Sequence, residues 1–226
     1  MSSNEFRPGL AGVVAFETEI AEPDKEGGEL RYRGVNIEDL VGKAPFEHVW
    51  GLLVDESLEP GLPYEHVPLE HRTGGYISDL QMQLAALSGE WKLGQFIDID
   101  DEQAKEDLRR LSAAALSIVA QSARGADLAP VPAETVAQGQ TAAERFLLEW
   151  RGEVDERHAK AIDTYWICTA EHGLNASTFT ARIVASTGAD AGAALSSAVG
   201  ALSGPLHGGA PARVLPMLDA VAESGV

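Results

Sequence analysis

Residues 155–204 read DERHAKAIDTYWICTAEHGLNASTFTARIVASTGADAGAALSSAVGALSG, three apolar-periodic stretches in which glycine follows the last periodic residue at 173, 188 and 204. Glycine just past a helix supplies the left-handed residue that other side chains resist. The same punctuation occurs upstream, where EQAKEDLRRLSAAALSIVAQSAR (102–124) stops at Gly125 and TAAERFLLEWR (141–151) stops at Gly152. Five such stops predict a mainly α-helical bundle with short connections, running from about residue 77 onward. Ala, Gly and Ser fill 190–203, a composition that permits close helix approach, either among other helices or at a subunit interface.

Upstream of the bundle, GVVAFETEI (12–20) alternates and is β-branched, PDKEGG follows as a turn, and ELRYRG resumes an extended pattern. These predict a small N-terminal antiparallel hairpin. Asn36 then reads as an N-cap for two short helices interrupted at Pro45, with Phe46, Val49, Trp50, Leu52 and Leu53 facing inward. A Pro/Gly-rich loop spans about 55–76.

The chain has 226 residues, 45% of them hydrophobic, enough for a sizeable core. No apolar run approaches the roughly 20 residues of a membrane span, and MSSNEFRPGL lacks the basic and apolar blocks of a signal peptide, so the expected compartment is the cytoplasm. Seventeen Lys and Arg against 35 Asp and Glu give a formal charge of −18, which repels nucleic acid and membrane surfaces alike. The same charge repels an anionic small substrate, which must therefore be gathered by local donors such as histidines, helix N-termini and arginines. The single cysteine, Cys168, excludes an internal disulfide, and its place in TYWICTA reads as a buried, inert thiol.

Of the six histidines, His48 reads as packing or boundary, and His66, His71 and His158 as solvent-exposed. His172 and His207 occupy helix junctions, where loops position functional groups on a rigid scaffold. In AEHGLNASTF, Gly173 stops one helix and Asn175 starts the next, so the imidazole and the backbone N–H groups of 176–178 converge as an anion site. The plainer alternative is that Asn175 only caps its helix and His172 bonds a carbonyl. In ALSGPLHGGAPARV (201–214), Gly208 and Gly209 admit a ligand to the backbone, and Pro211 falls in the first turn of the next helix. His207 then lies near the positive end of a helix dipole, where a neutral N–H donor suits carbonyl polarisation and enolisation. The alternative is a histidine that only bridges a tight turn.

GLAGVVAFETEI, ELRYRGVNIEDL, AEHGLNASTFTAR and GALSGPLHGGA together resemble the citrate synthase family, closely the actinobacterial type, over nearly the whole chain. The resemblance implies a multi-helical large domain over residues 1–204, followed at 205–226 by the catalytic-histidine turn and a helix leading toward a small domain. It implies condensation of acetyl-CoA with oxaloacetate to citrate and CoA, without metal or prosthetic group, in a homodimer. His207 matches the histidine that bonds the thioester carbonyl and stabilises the enol; His172 and Asn175 match oxaloacetate-binding positions. The stretches 103–124, 138–151, 190–203 and 208–224 are expected to supply the dimer interface.

The family also carries, after GPLHGG, a second histidine in a Gly-rich segment, the aspartate that removes the methyl proton and the arginines that clamp oxaloacetate. No segment matching these occurs before Val226, and the expectation is a chain that stops early and is inactive alone. At 77–88, ISDLQMQLAALS departs from a Pro-Met-Asp-like helix entry, as a subgroup variation. Two further readings stand beside the first: a 2-methylcitrate synthase using propionyl-CoA, and a non-catalytic dimerising half of a split or inactivated enzyme.

Overall fold

The computed structural model describes residues 12, 14–24 and 27–225. Three short antiparallel strands come first, β1 (Ala21–Pro23), β2 (Leu30–Tyr32) and β3 (Val35–Asn36), in spatial order β1-β2-β3 with Ala21 opposite Tyr32 and Tyr32 opposite Val35. A 3-10 turn (Ile37–Asp39), capped by the Asn36 side chain, leads to the helices α1 (Phe46–Asp55), α2 (Tyr76–Glu90), α3 (Asp101–Arg124), α4 (Ala133–Val136), α5 (Ala142–Arg151), α6 (Glu156–Thr169), α7 (Ala176–Ala185), α8 (Ala191–Leu202) and α9 (Val214–Ser224). The expected mainly α fold with a small N-terminal sheet is what the chain adopts.

Helix starts follow local chemistry. Asp100, Thr141, Asp155, Asn175 and Asp190 each turn a side-chain oxygen onto backbone N–H groups of the following turn, satisfying donors that a helix leaves orphaned. α1 has Pro45 at its start and no local cap; Asp163 of α6 accepts the Phe46 N–H at 2.8 Å instead.

Two cores form. In one, Leu84 and Leu87 of α2, Leu111, Ala114 and Ile118 of α3 and Ala191 of α8 close over Val67 and Leu69. In the other, Ala21, Tyr32 and Leu40 pack on Val49, Leu52 and Ile167. Val67 and Leu69 belong to the Pro/Gly-rich segment, which is irregular as expected but inward-facing. It is tied down by Leu69 N–H donating to Gln121 Oε1 at 3.0 Å and Thr73 N–H donating to the buried Asp79 carboxylate. Burial pushes the Asp79 carboxyl up, but hydrogen bonds from Ser122 and Thr73 overturn that and hold it below its ordinary value.

Several expectations need correction. Residues 14–18 of the expected first strand have no regular structure and strand pairing starts at Ala21, although Phe16 stacks on Phe179 of α7 at 5.7 Å. Val13, Lys25 and Glu26 of the expected hairpin lie outside the described residues, as does most of GLAG. α6 ends at Thr169, short of Gly173, and Gly204 does not take a positive φ, while Gly125, Gly152, Gly173 and Gly188 do. Cys168 is exposed, because α6 turns the preceding residue, Ile167, fully inward. His66 is not simply solvated: its Nδ1 lies 2.9 Å from the buried Glu149 carboxylate. The small apolar face of α3 (Ala113, Ala114, Ile118, Ala120) is buried inside the chain, so it no longer argues for an intersubunit role. Among the described residues no helix is long and apolar enough to cross a membrane.

Candidate active site

The site is built on the connection between α6 and α7. Tyr32, fully buried in β2, donates its hydroxyl proton to the Ile167 carbonyl at 2.7 Å and accepts the Glu171 N–H at 3.4 Å. The sheet thus holds the end of α6. Burial pushes the Tyr32 hydroxyl above its ordinary pKa, which keeps it a neutral donor. Gly173 and Leu174 then both adopt left-handed backbone, with φ of 85° and 61°. A Cβ at Gly173 would lie 3.0–3.1 Å from the Pro23 ring of β1, so the sheet supports this turn from beneath. For Leu174 the conformation is strained. The two left-handed residues reverse the chain so that Asn175 caps α7.

Asn175 Oδ1 accepts the Thr178 N–H at 2.8 Å and the Ser177 hydroxyl at 2.6 Å. The capping role weighed as an alternative is therefore real, but it does not exhaust the residue, whose amide nitrogen faces Glu171 at 3.4 Å. His172 is exposed, its backbone N–H bonded to the Glu171 side chain rather than its imidazole to a carbonyl.

The second connection, between α8 and α9, brings in His207. The turn folds back on the end of α8, with His207 N–H donating to Gly204 O at 2.9 Å and Gly209 N–H to the same carbonyl at 3.1 Å. A Cβ at Gly208 would meet Leu202 at 2.5 Å, and one at Gly209 the Ser203 carbonyl at 2.7 Å. The glycine pair is therefore required for packing of the turn itself. Pro211 opens a 3-10 turn (Pro211–Arg213), so α9 proper begins at Val214 and the helix terminus stands farther from His207 than expected.

The imidazole, half-buried, places Nε2 3.0 Å from Ser177 Oγ across 30 residues of sequence. His207 and Asn175 are thus joined through one hydroxyl, and His172 lies three residues before Asn175 on the same turn. Sequence reasoning missed Ser177 and Glu171; the AST run signalled a helix start, but nothing local showed that its hydroxyl meets a second junction.

At the junction His172 is exposed, while Asn175, Ser177 and His207 are half-buried. Neither histidine lines the cavity of about 350 Å³ bounded by Lys43, Pro45, Thr141, Lys160 and Asp163, nor that of about 730 Å³ bounded by Thr18, Glu22, Arg33 and Glu56. No group of three or more His, Cys, Asp or Glu with metal-binding geometry occurs among the described residues. An exposed imidazole, a capping amide and a half-buried imidazole thus stand on two neighbouring helix junctions of a mainly α scaffold.

Comparison with known proteins identifies the family. The family model described as citrate synthase, C-terminal domain, matches residues 9–225. The Mycobacterium tuberculosis protein named "Putative citrate synthase 2" is 58% identical over 222 residues, covering 97% of this chain and 60% of its own length. Citrate synthase of Haloferax volcanii is 32% identical over 246 residues, covering 98% of this chain and 64% of its own. The crystal structure of citrate synthase from Thermotoga maritima matches at a TM-score of 0.76 and 28% identity, over 96% of this chain and 61% of that one. The chain belongs to the citrate synthase family. It spans about 60% of the length of the first of these relatives.

Proposed function

We propose that these 226 residues carry the oxaloacetate-binding turn and the thioester-polarising histidine of a citrate synthase, which condenses acetyl-CoA, oxaloacetate and water to citrate and CoA. The observation that carries this reading is the 3.0 Å contact between His207 Nε2 and Ser177 Oγ, which brings the two helix junctions to one place. In the reaction a base takes a proton from the thioester methyl while the His207 N–H bonds the carbonyl oxygen where enolate charge develops. Carbon then attacks the ketone of oxaloacetate, held through His172 and Asn175, and water releases the CoA thiol. The resemblance places the base and the arginine clamp in segments that no part of these 226 residues matches. The site works without a metal or prosthetic group, and the chain acts as a cytoplasmic homodimer.

The test follows free thiol release from acetyl-CoA and from propionyl-CoA in the presence of oxaloacetate. The 226-residue chain is expected to release none alone, and to release thiol when mixed with a separately made C-terminal segment of a full-length relative. His207→Ala should abolish release, since general acid–base groups contribute about 10²–10⁴-fold. Robust release by the chain alone overturns the assignment of the base to another segment. Silence of a mixture that forms a complex favours a non-catalytic dimerising module, and preference for propionyl-CoA favours a 2-methylcitrate synthase.

A further inference from the structure

Away from the two histidine junctions, a buried carboxyl group ends the hydrogen bonds that fix the irregular segment between α1 and α2. Val67 N–H donates to Ser117 Oγ at 3.3 Å and Leu69 N–H to Gln121 Oε1 at 3.0 Å. Gln121 Nε2 in turn donates to the Val67 carbonyl at 2.7 Å and to Ser117 Oγ at 3.0 Å. Having accepted two hydrogens, the Ser117 hydroxyl gives its own to Glu149 Oε1 at 2.7 Å. The arrangement is complete only while Glu149 accepts. Both protonation states of a carboxyl do so, but they differ in what burial costs them.

Glu149 is 3% exposed, and the cavity of about 20 Å³ beside it has room for about one water. An ionised carboxylate there gains little hydration while the cavity walls stay shut. Two walls, α3 and α5, are continuous helices; the third, Pro63 to Glu65, has no regular secondary structure and is the one that yields. The groups facing Glu149 compensate its charge only in part. From the segment come Tyr64, His66, whose Nδ1 lies 2.9 Å from Oε1 but off the hydrogen-bond line, and Glu65, which Arg110 of α3 holds at 3.4 Å. α5 adds Arg145, which donates to the Gly139 and Gln140 carbonyls, and α4 adds Glu134 near Tyr64. α1 places Glu47 on the Ala142 N–H at the other end of α5, and α6 meets α5 with apolar Ala159, Ile162 and Trp166. Burial accordingly pushes the Glu149 carboxyl above its ordinary value, against the opposing effects of Ser117, His66 and Gln121.

We propose that Glu149 is a pH-sensitive latch: protonated, it holds the segment 62–69 shut through Ser117 and Gln121, and as pH rises its ionisation lets the segment lift and release Val67 and Leu69. The sign follows from where the proton is held more tightly. A carboxyl that keeps its proton better in the shut form stabilises that form fully below the open-form value of about 4.3, and the hold weakens as pH rises through the shut-form value. None of these residues belongs to either histidine junction, so the proposal stands apart from the reading of His207.

The experiment is native-state hydrogen exchange of the whole chain at about pH 4.5 and about pH 7.5, both above the ordinary carboxyl value. It is read as protection factors at the Val67 and Leu69 amides, which remove the intrinsic effect of pH on exchange. Urea too dilute to unfold the chain separates local opening, which it leaves unchanged, from global unfolding, which it promotes. Protection at both amides is expected to fall several-fold from the lower to the higher pH, through an opening that does not respond to urea. Glu149→Gln, the non-ionising counterpart of the protonated acid, should fold and should protect both amides equally at the two pH values. His66→Gln should keep the fall, because the imidazole is not the group that triggers it. Equal protection at both pH values in the parent, exchange that follows urea as whole-chain unfolding does, or a Glu149→Gln chain that keeps the fall or loses its helical circular dichroism overturns the proposal. Disappearance of the fall in His66→Gln also overturns it, since the imidazole is then the titrating group.

Discussion

At the scale of single residues, Gly173 is where the sheet and the site meet. Its φ of 85° and the Pro23 ring 3.0 Å from where a Cβ would stand leave no room for a side chain. Gly173→Ala is expected to cost about 1–3 kcal/mol, read as a lower urea midpoint. Glu149 offers a pH-dependent counterpart. Its carboxylate is 3% exposed, 2.7 Å from the Ser117 hydroxyl and 2.9 Å from His66 Nδ1, the latter off the line of a hydrogen bond. Burial pushes the carboxyl above its ordinary value, against the opposing effects of Ser117, His66 and Gln121. A folded pKa above the unfolded one means that its contribution is fully present below the unfolded value of about 4.3 and is lost as pH rises through the folded value. An amide does not ionise, so Glu149→Gln should gain stability relative to the parent between about pH 4, where the unfolded carboxyl starts to ionise, and about pH 8. Urea midpoints at the two pH values check this, and an equal difference at both contradicts it.

At the scale of elements, α9 differs from every other long helix. All its residues are exposed, among them Val214, Leu215, Met217, Leu218 and Val221, and its packing within the chain is chiefly against the adjoining 3-10 turn. An isolated helix of this length is marginal in water. Amides of 215–224 should therefore exchange with solvent well before those of α3 in the chain alone, as hydrogen-exchange mass spectrometry would register; protection equal to that of α3 would mean that another surface covers α9. α8 shows the opposite case. Its small residues were expected to permit close approach, and at Gly192 a Cβ would stand 2.7 Å from Ser88 of α2, so that face is used within the chain.

At the scale of the molecule, the exposed apolar residues of α9, together with Leu202 and Leu206, are what now motivates the proposed homodimer, in place of α3. Sedimentation at micromolar concentration is expected to show a dimer. Leu215→Asp with Leu218→Asp should shift it to monomer without changing the helical circular dichroism, because neither side chain is buried within the chain. A folded monomer in the parent would remove the proposal.

What the amino-acid sequence by itself determined is whatever is encoded within a helical turn or two. Glycine stops and apolar periodicity placed the helices, and the Gly-flanked histidines marked both junctions, because left-handed backbone and capping are local properties of the residues that adopt them. What only the tertiary structure decided depends on pairs far apart in the chain. Tyr32 meets Ile167 across 135 residues and His207 meets Ser177 across 30, and no periodicity specifies a partner. For the same reason the inward turn of His66, the outward turn of Cys168 and the gathering of four donors by Glu171 were not legible. Periodicity tells which face of an element is apolar, but the choice of what covers it belongs to packing of the whole chain.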